Sequence, residues 1–158
     1  MNELSNTVAH GFICSYRDFA RRVHALSEKL SEEQFWTKPY PYGNSFGHLT
    51  LHIIGNLNYY IGAEIVNTGY VRDREREFSE DSPPSKEEVL RRLAEVVDLV
   101  EATLETQTAE TWSNAYSAAG AADFVKDRFS IFSQLCRSFS SPYRADGLSC
   151  KGVFQVIC

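Results

Sequence analysis

Apolar residues recur every three or four positions through most of the chain, and the runs end at recognisable breaks. Leu4, Val8, Phe12, Phe19, Val23, Leu26 and Leu30 form one stripe and predict an amphipathic helix over about 4–30. His10, Arg17 and His24 recur every seven residues on another face, the solvent side or the edge of a cleft. The tetrapeptide SEEQ at 31–34 has capping-box spacing. TKPYPYGNS then breaks the pattern, because Pro39 and Pro41 hold their predecessors extended and Gly43 and Asn44 favour a turn. Ser45 is an N-cap for a second helix over about 46–66, with Phe46, Leu49, Ile53, Leu57, Tyr60 and Ile61 as its core stripe. His48, His52, Asn56 and Tyr59 follow one another on the adjoining face, at about four-residue steps.

The next 19 residues, 67–85, are charged and end in Pro83 and Pro84. A connection this long either crosses the fold or borders a site. Ser85 and Glu88 have capping-box spacing before a third helix over about 86–106, whose stripe is Val89, Leu93, Val96, Val100 and Leu104. A fourth helix is predicted within 121–139 from Phe124, Phe129, Phe132, Leu135 and Cys136, a pattern only partly periodic. Beyond it, Pro142 and Gly147 stand where helix should continue. The pattern predicts an all-α four-helix bundle over 1–137, with a long crossover after helix two, an incomplete fourth helix, and an irregular tail over 138–158.

Composition narrows the function. A chain of 158 residues, 43% hydrophobic and 13% aromatic, has enough apolar surface for one folded domain. Its net charge of −5 and scattered basic residues argue against nucleic acid or an anionic membrane as partner. No apolar run reaches membrane-spanning length, and MNELSNTVAHGF lacks a signal-peptide layout. Cys14, Cys136, Cys150 and Cys158 show no C-x-x-C spacing and read as thiols of a reducing compartment, so a cytoplasmic location is expected. His48 and His52, four apart on one helix, have the spacing of a two-ligand metal clamp. A third donor would have to come from His10, His24 or a carboxylate, and no motif marks one.

The string NS, six residues, HIIGNL, and then GYVRDREREF resembles the DinB-like family of metal-binding four-helix bundles. Asn44, Ser45, His52, Gly55, Asn56, Leu57, Gly69, Arg72, Arg74, Glu77 and Phe78 stand where one subgroup's pattern asks for them. The resemblance implies a divalent ion, zinc or nickel, on three histidines, the first being His52 with His48 as a weaker alternative. It further implies a thiol-dependent transferase or hydrolase, in which the ion lowers the pKa of a bound thiol or water. Asn56 would orient a ligand or satisfy a helix partner. Arg72 and Arg74 would steer an anionic substrate or pair with acids that hold the crossover to the bundle. A homodimer and a small-molecule thiol are the partners implied.

The family's other two ligands lie on helix four in an H-x-x-x-H-x-G-Q motif, and this chain has no histidine after His52. Codons able to encode CRSFSSPYRADGLSC, residues 136–150, also permit VVHFRHHTGQMVYLA when read one nucleotide later. Histidines would then fall opposite Ser138 and Pro142. The expectation is a reading-frame slip between about residues 115 and 137, leaving the chain metal-deficient and inactive; the alternative is a genuine tail on a metal-free bundle that binds a partner or dimerises. Tyr40, Tyr42, Tyr59, Tyr60 and Tyr70 would supply its aromatic surface.

Overall fold

The computed structural model describes residues 3–79 and 82–140. Seven helices follow one another among them: α1 (Glu3–Ser27), α2 (Glu32–Trp36), α3 (Phe46–Leu57), α4 (Arg76–Ser79), α5 (Lys86–Glu105), α6 (Ala109–Trp112) and α7 (Arg128–Ser140). α3 runs on as a π-helical segment, Asn58–Val66. The long elements α1, α3, α5 and α7 make the expected all-α bundle, with α1 and α3 both packed on α5, and α7 against α1. No described helix is long and apolar enough to cross a membrane. The tail expected to be irregular and the position of Pro142 lie outside the described residues, apart from residues 138–140 in the last turn of α7.

Sequence chemistry accounts for the helix starts. Ser31 and Gln34 close a reciprocal capping box, and Ser45 accepts the His48 N–H. Ser85 accepts the Glu88 N–H, but the return half of that box is not made. The Glu88 carboxylate is taken by Arg91 and Arg92, whose hydrogen bonds hold it down to about 2.

The α5 stripe is buried as expected, and each such Val or Leu side chain contributes about 1.5–3 kcal/mol relative to exposure. The α1 stripe needs correcting. Its deepest line is Ser5, Ala9, Ile13, Tyr16, Phe19, Val23 and Ser27, while Leu4 is 68% exposed. Small residues let α1 approach its neighbours closely, and bulky Phe12 turns sideways to an aromatic group made with Trp112, Phe129 and Phe132. The fourth helix begins at Arg128, later than expected, because Asp127 Oδ1 accepts the Ser130 N–H at 2.8 Å and sets the first turn. Phe124 consequently lies outside the helix and is 56% exposed.

The π-helical segment has no counterpart in the sequence pattern, since its apolar spacing is read equally well as α. It ends at Asn67, whose backbone is left-handed and whose N–H reaches back to the Gly62 carbonyl. The Tyr116 hydroxyl donates to the Tyr60 carbonyl at 2.9 Å and ties this segment to the connection between α6 and α7.

Candidate functional site

The GNL and RDREREF elements meet in space. Gly69 has a positive φ and opens the crossover. Further along, Asp73 Oδ1 accepts the Arg76 N–H at 3.1 Å and starts α4, which turns Glu77 back onto α3. There the Glu77 side chain is 7% exposed, with Arg72 at 12% and His52 at 17%. Arg72 donates from Nε to Glu77 Oε1 at 2.7 Å and from Nη2 to Oε2 at 2.9 Å, a bidentate fork. His52 Nδ1 lies 2.8 Å from Oε2.

This geometry assigns the tautomer. A carboxylate only accepts, so His52 carries its proton on Nδ1 and donates to Glu77. Nδ1 and Arg72 Nη2 are 3.2 Å apart because both aim at the same oxygen. The lone pair is left on Nε2, where Asn56 Nδ2 donates at 3.3 Å. The Phe78 ring covers one side of the imidazole, with centroids 5.0 Å apart. Burial opposes the Glu77 charge, but the Arg72 fork and the His52 hydrogen bond outweigh it and hold the carboxyl below the usual glutamate range. Burial and the Glu77 charge together push the nearby Tyr70 phenol up.

Gly55 is what lets Glu77 approach. A Cβ at this position would stand 2.8 Å from the Glu77 carboxyl carbon and nearer still to Oε1. The glycine of GNL, the arginine and the glutamate of the crossover are therefore parts of one contact.

The predicted site residues separate into two groups. His52, Asn56 and Arg72 are brought together. Arg72 is engaged by Glu77, which ties the crossover to the bundle. Arg74 is exposed and, among the described residues, makes no hydrogen bond to this cluster. His48 is buried elsewhere on α3: its Nδ1 is hydrogen-bonded with the Ser45 hydroxyl at 2.7 Å, and Trp36 packs edge-on at 5.4 Å. Burial, with Lys38 nearby, pushes its pKa down. His10 and His24 are exposed on α1. Glu77 and Gly55, which stood in the motif without a role, are the residues that organise the site. The signal was their place in one pattern; nothing local to either position predicts the contact.

A metal centre needs three or more donors around one point. Among the described residues no group of three His, Cys, Asp or Glu side chains is placed to hold an ion. Ser138, opposite the first histidine of the alternative frame, is exposed and donates to its own helix at the Gln134 carbonyl. The described part of this chain thus carries one oriented imidazole without a ligand set.

No curated protein and no solved structure matches the chain. A family profile, that of the DinB superfamily, matches residues 16–129, a span that contains α3, the crossover and every residue of the His52 cluster. The match covers well over half the sequence and agrees with the all-α bundle, and on these grounds the chain belongs to the DinB superfamily.

Proposed function

We propose that this chain is the scaffold of a divalent-metal-dependent thiol transferase or hydrolase that keeps the support of the first ligand and lacks the other two. The observation that carries this reading is the His52 cluster. A buried carboxylate on Nδ1, itself fixed by Arg72, orients the ring as a metal-ligating histidine is oriented, and Asn56 Nδ2, now 3.3 Å from Nε2, would have to yield that nitrogen to an ion. In a complete centre His52 would be a ligand, and the ion would supply an activated thiol or water. The sequence holds no histidine after His52 to serve as a second or third ligand of the family's kind, and on this reading the chain as written is therefore metal-deficient and inactive.

The test is metal retention. Full-length protein equilibrated with zinc or nickel at micromolar concentration and then freed of excess ion is expected to hold well below one equivalent, with His52→Ala holding the same. One equivalent per chain, lost in His52→Ala, would overturn metal deficiency. The frame slip is tested separately by the encoding DNA across codons 110–158 and past the stop, where the next frame is expected to stay open through an H-x-x-x-H-x-G-Q segment.

A second reading, a metal-free bundle that dimerises, is favoured by exposed Phe129 in the first turn of α7 and Phe124 in the connection before it, at 46% and 56%. The tyrosines add less than their number implies, since Tyr60 is buried, Tyr59 and Tyr70 are partly so, and only Tyr40 and Tyr42 stand out. Sedimentation at micromolar concentration distinguishes a dimer from a monomer.

A further inference from the structure

Away from His52, the described residues bring one nucleophile and one base together on open surface. Cys14 Sγ lies 3.5 Å from His10 Nε2, one turn earlier on α1, and both side chains are exposed. Arg17, three residues on, lies on the same helix. Its guanidinium is engaged by a fork to Glu101 of α5, at 2.8 and 2.6 Å. Gly11 occupies the position three before Cys14, on the same side of the helix, and a side chain built there would meet nothing within 4 Å. The thiol therefore has a base and room beside it. Cys136 shows the contrast: it is half-buried, and burial pushes its thiol up.

A thiol attacks as the thiolate, and an imidazole in contact can take its proton. We propose that Cys14 is a modification site for low-molecular-weight disulfides, with His10 as the proton acceptor. The Cys14 sulfur attacks one sulfur of the disulfide, and a new S–S bond forms as the old one breaks. The thiol proton passes to His10 Nε2 and then to the departing thiolate, which leaves as a free thiol. One disulfide replaces another, so no outside oxidant is required. The residue left on Cys14 would project over Gly11 into solvent, leaving the bundle closed. This inference is independent of the metal reading, because neither Cys14 nor His10 belongs to the His52 cluster.

The probe is 5,5′-dithiobis(2-nitrobenzoate), a small aromatic disulfide whose released thiol is read by absorbance. In a Cys136→Ser/Cys150→Ser/Cys158→Ser background only Cys14 reports, and adding His10→Ala is expected to slow its reaction about fivefold at neutral pH with unchanged circular dichroism. Brief treatment of the unaltered chain, followed by peptide mass mapping, is expected to put the first label on Cys14 among the two described cysteines. Equal rates with and without His10, or a first label on Cys136, would overturn the proposal.

Discussion

Glu77→Gln is expected to destabilise the protein by roughly 3 kcal/mol and lower Tm by about 6–12 °C at neutral pH. The substitution keeps the shape and removes the charge. Arg72 would remain in a site where it is 12% exposed, with no carboxylate to face, and His52 would lose its charge-assisted acceptor. Breaking a buried pair by removing one partner is far more costly than the pair's net worth, because the remaining charge stays out of water. The pH dependence has a definite sign. Glu77 titrates lower in the folded protein than in the unfolded chain, so its contribution is complete above the ordinary glutamate value of about 4.3 and is lost as pH falls through the depressed one. Wild-type protein should lose this stabilisation on acidification, whereas Glu77→Gln, having none, should not. Thermal unfolding curves of the two are expected to keep their separation from pH 7 down to about 4.3 and to converge on further acidification; a gap that stays constant below that pH would place the cost elsewhere.

Gly55→Ala is expected to cost a comparable amount, about 2–4 kcal/mol, although alanine is the better helix former by about 1 kcal/mol. The new Cβ would overlap the Glu77 carboxylate, and that carboxylate is not free to swing aside because Arg72 and His52 hold both oxygens. The crossover must lift or the fork must break. Either way the two substitutions act on one contact, so their effects should be strongly non-additive. In Glu77→Gln the fork is already lost, and adding Gly55→Ala should then cost much less than it does alone. Denaturant unfolding of the four proteins in the cycle measures this directly. Additive costs would mean that Gly55 serves some contact other than Glu77.

Much of this fold was legible because its signals are local. Capping residues at Ser31, Ser45 and Ser85 and the unbroken stripe from Val89 to Leu104 each report on neighbours within a turn or two. What the pattern missed depends on partners distant in sequence. The buried face of α1 is displaced because helices on two sides compete for it, and periodicity cannot say which flank goes deepest. The π-helical turn is tied down by Tyr116, 56 residues beyond the Tyr60 carbonyl it bonds. Trp112, buried on the short α6, went unmarked because a four-residue helix leaves no period to read. The candidate site was half legible. His52 and Asn56 stood out by helical spacing, but Glu77 lies 25 positions from His52, and among the three acids of 73–77 nothing local singles it out. Arg72 and Arg74 are alike in sequence and unlike in the fold, one buried against an acid and the other in solvent.

The proposal that the His52 cluster supports a metal ligand is tested most directly by supplying the two histidines that the proposal says are absent. In the variant chain, residues 136–150 are replaced by VVHFRHHTGQMVYLA, the translation permitted in the shifted frame. Metal uptake is then read by equilibrium dialysis and atomic emission, after circular dichroism shows both chains to be helical. The expected result is about one zinc or nickel per restored chain, lost in His52→Ala and weakened about 10- to 100-fold in Glu77→Gln, against none for the chain as it stands. A folded, restored chain that takes up no metal, or holds it equally well without His52, would contradict the reading of this cluster as the support of a metal ligand.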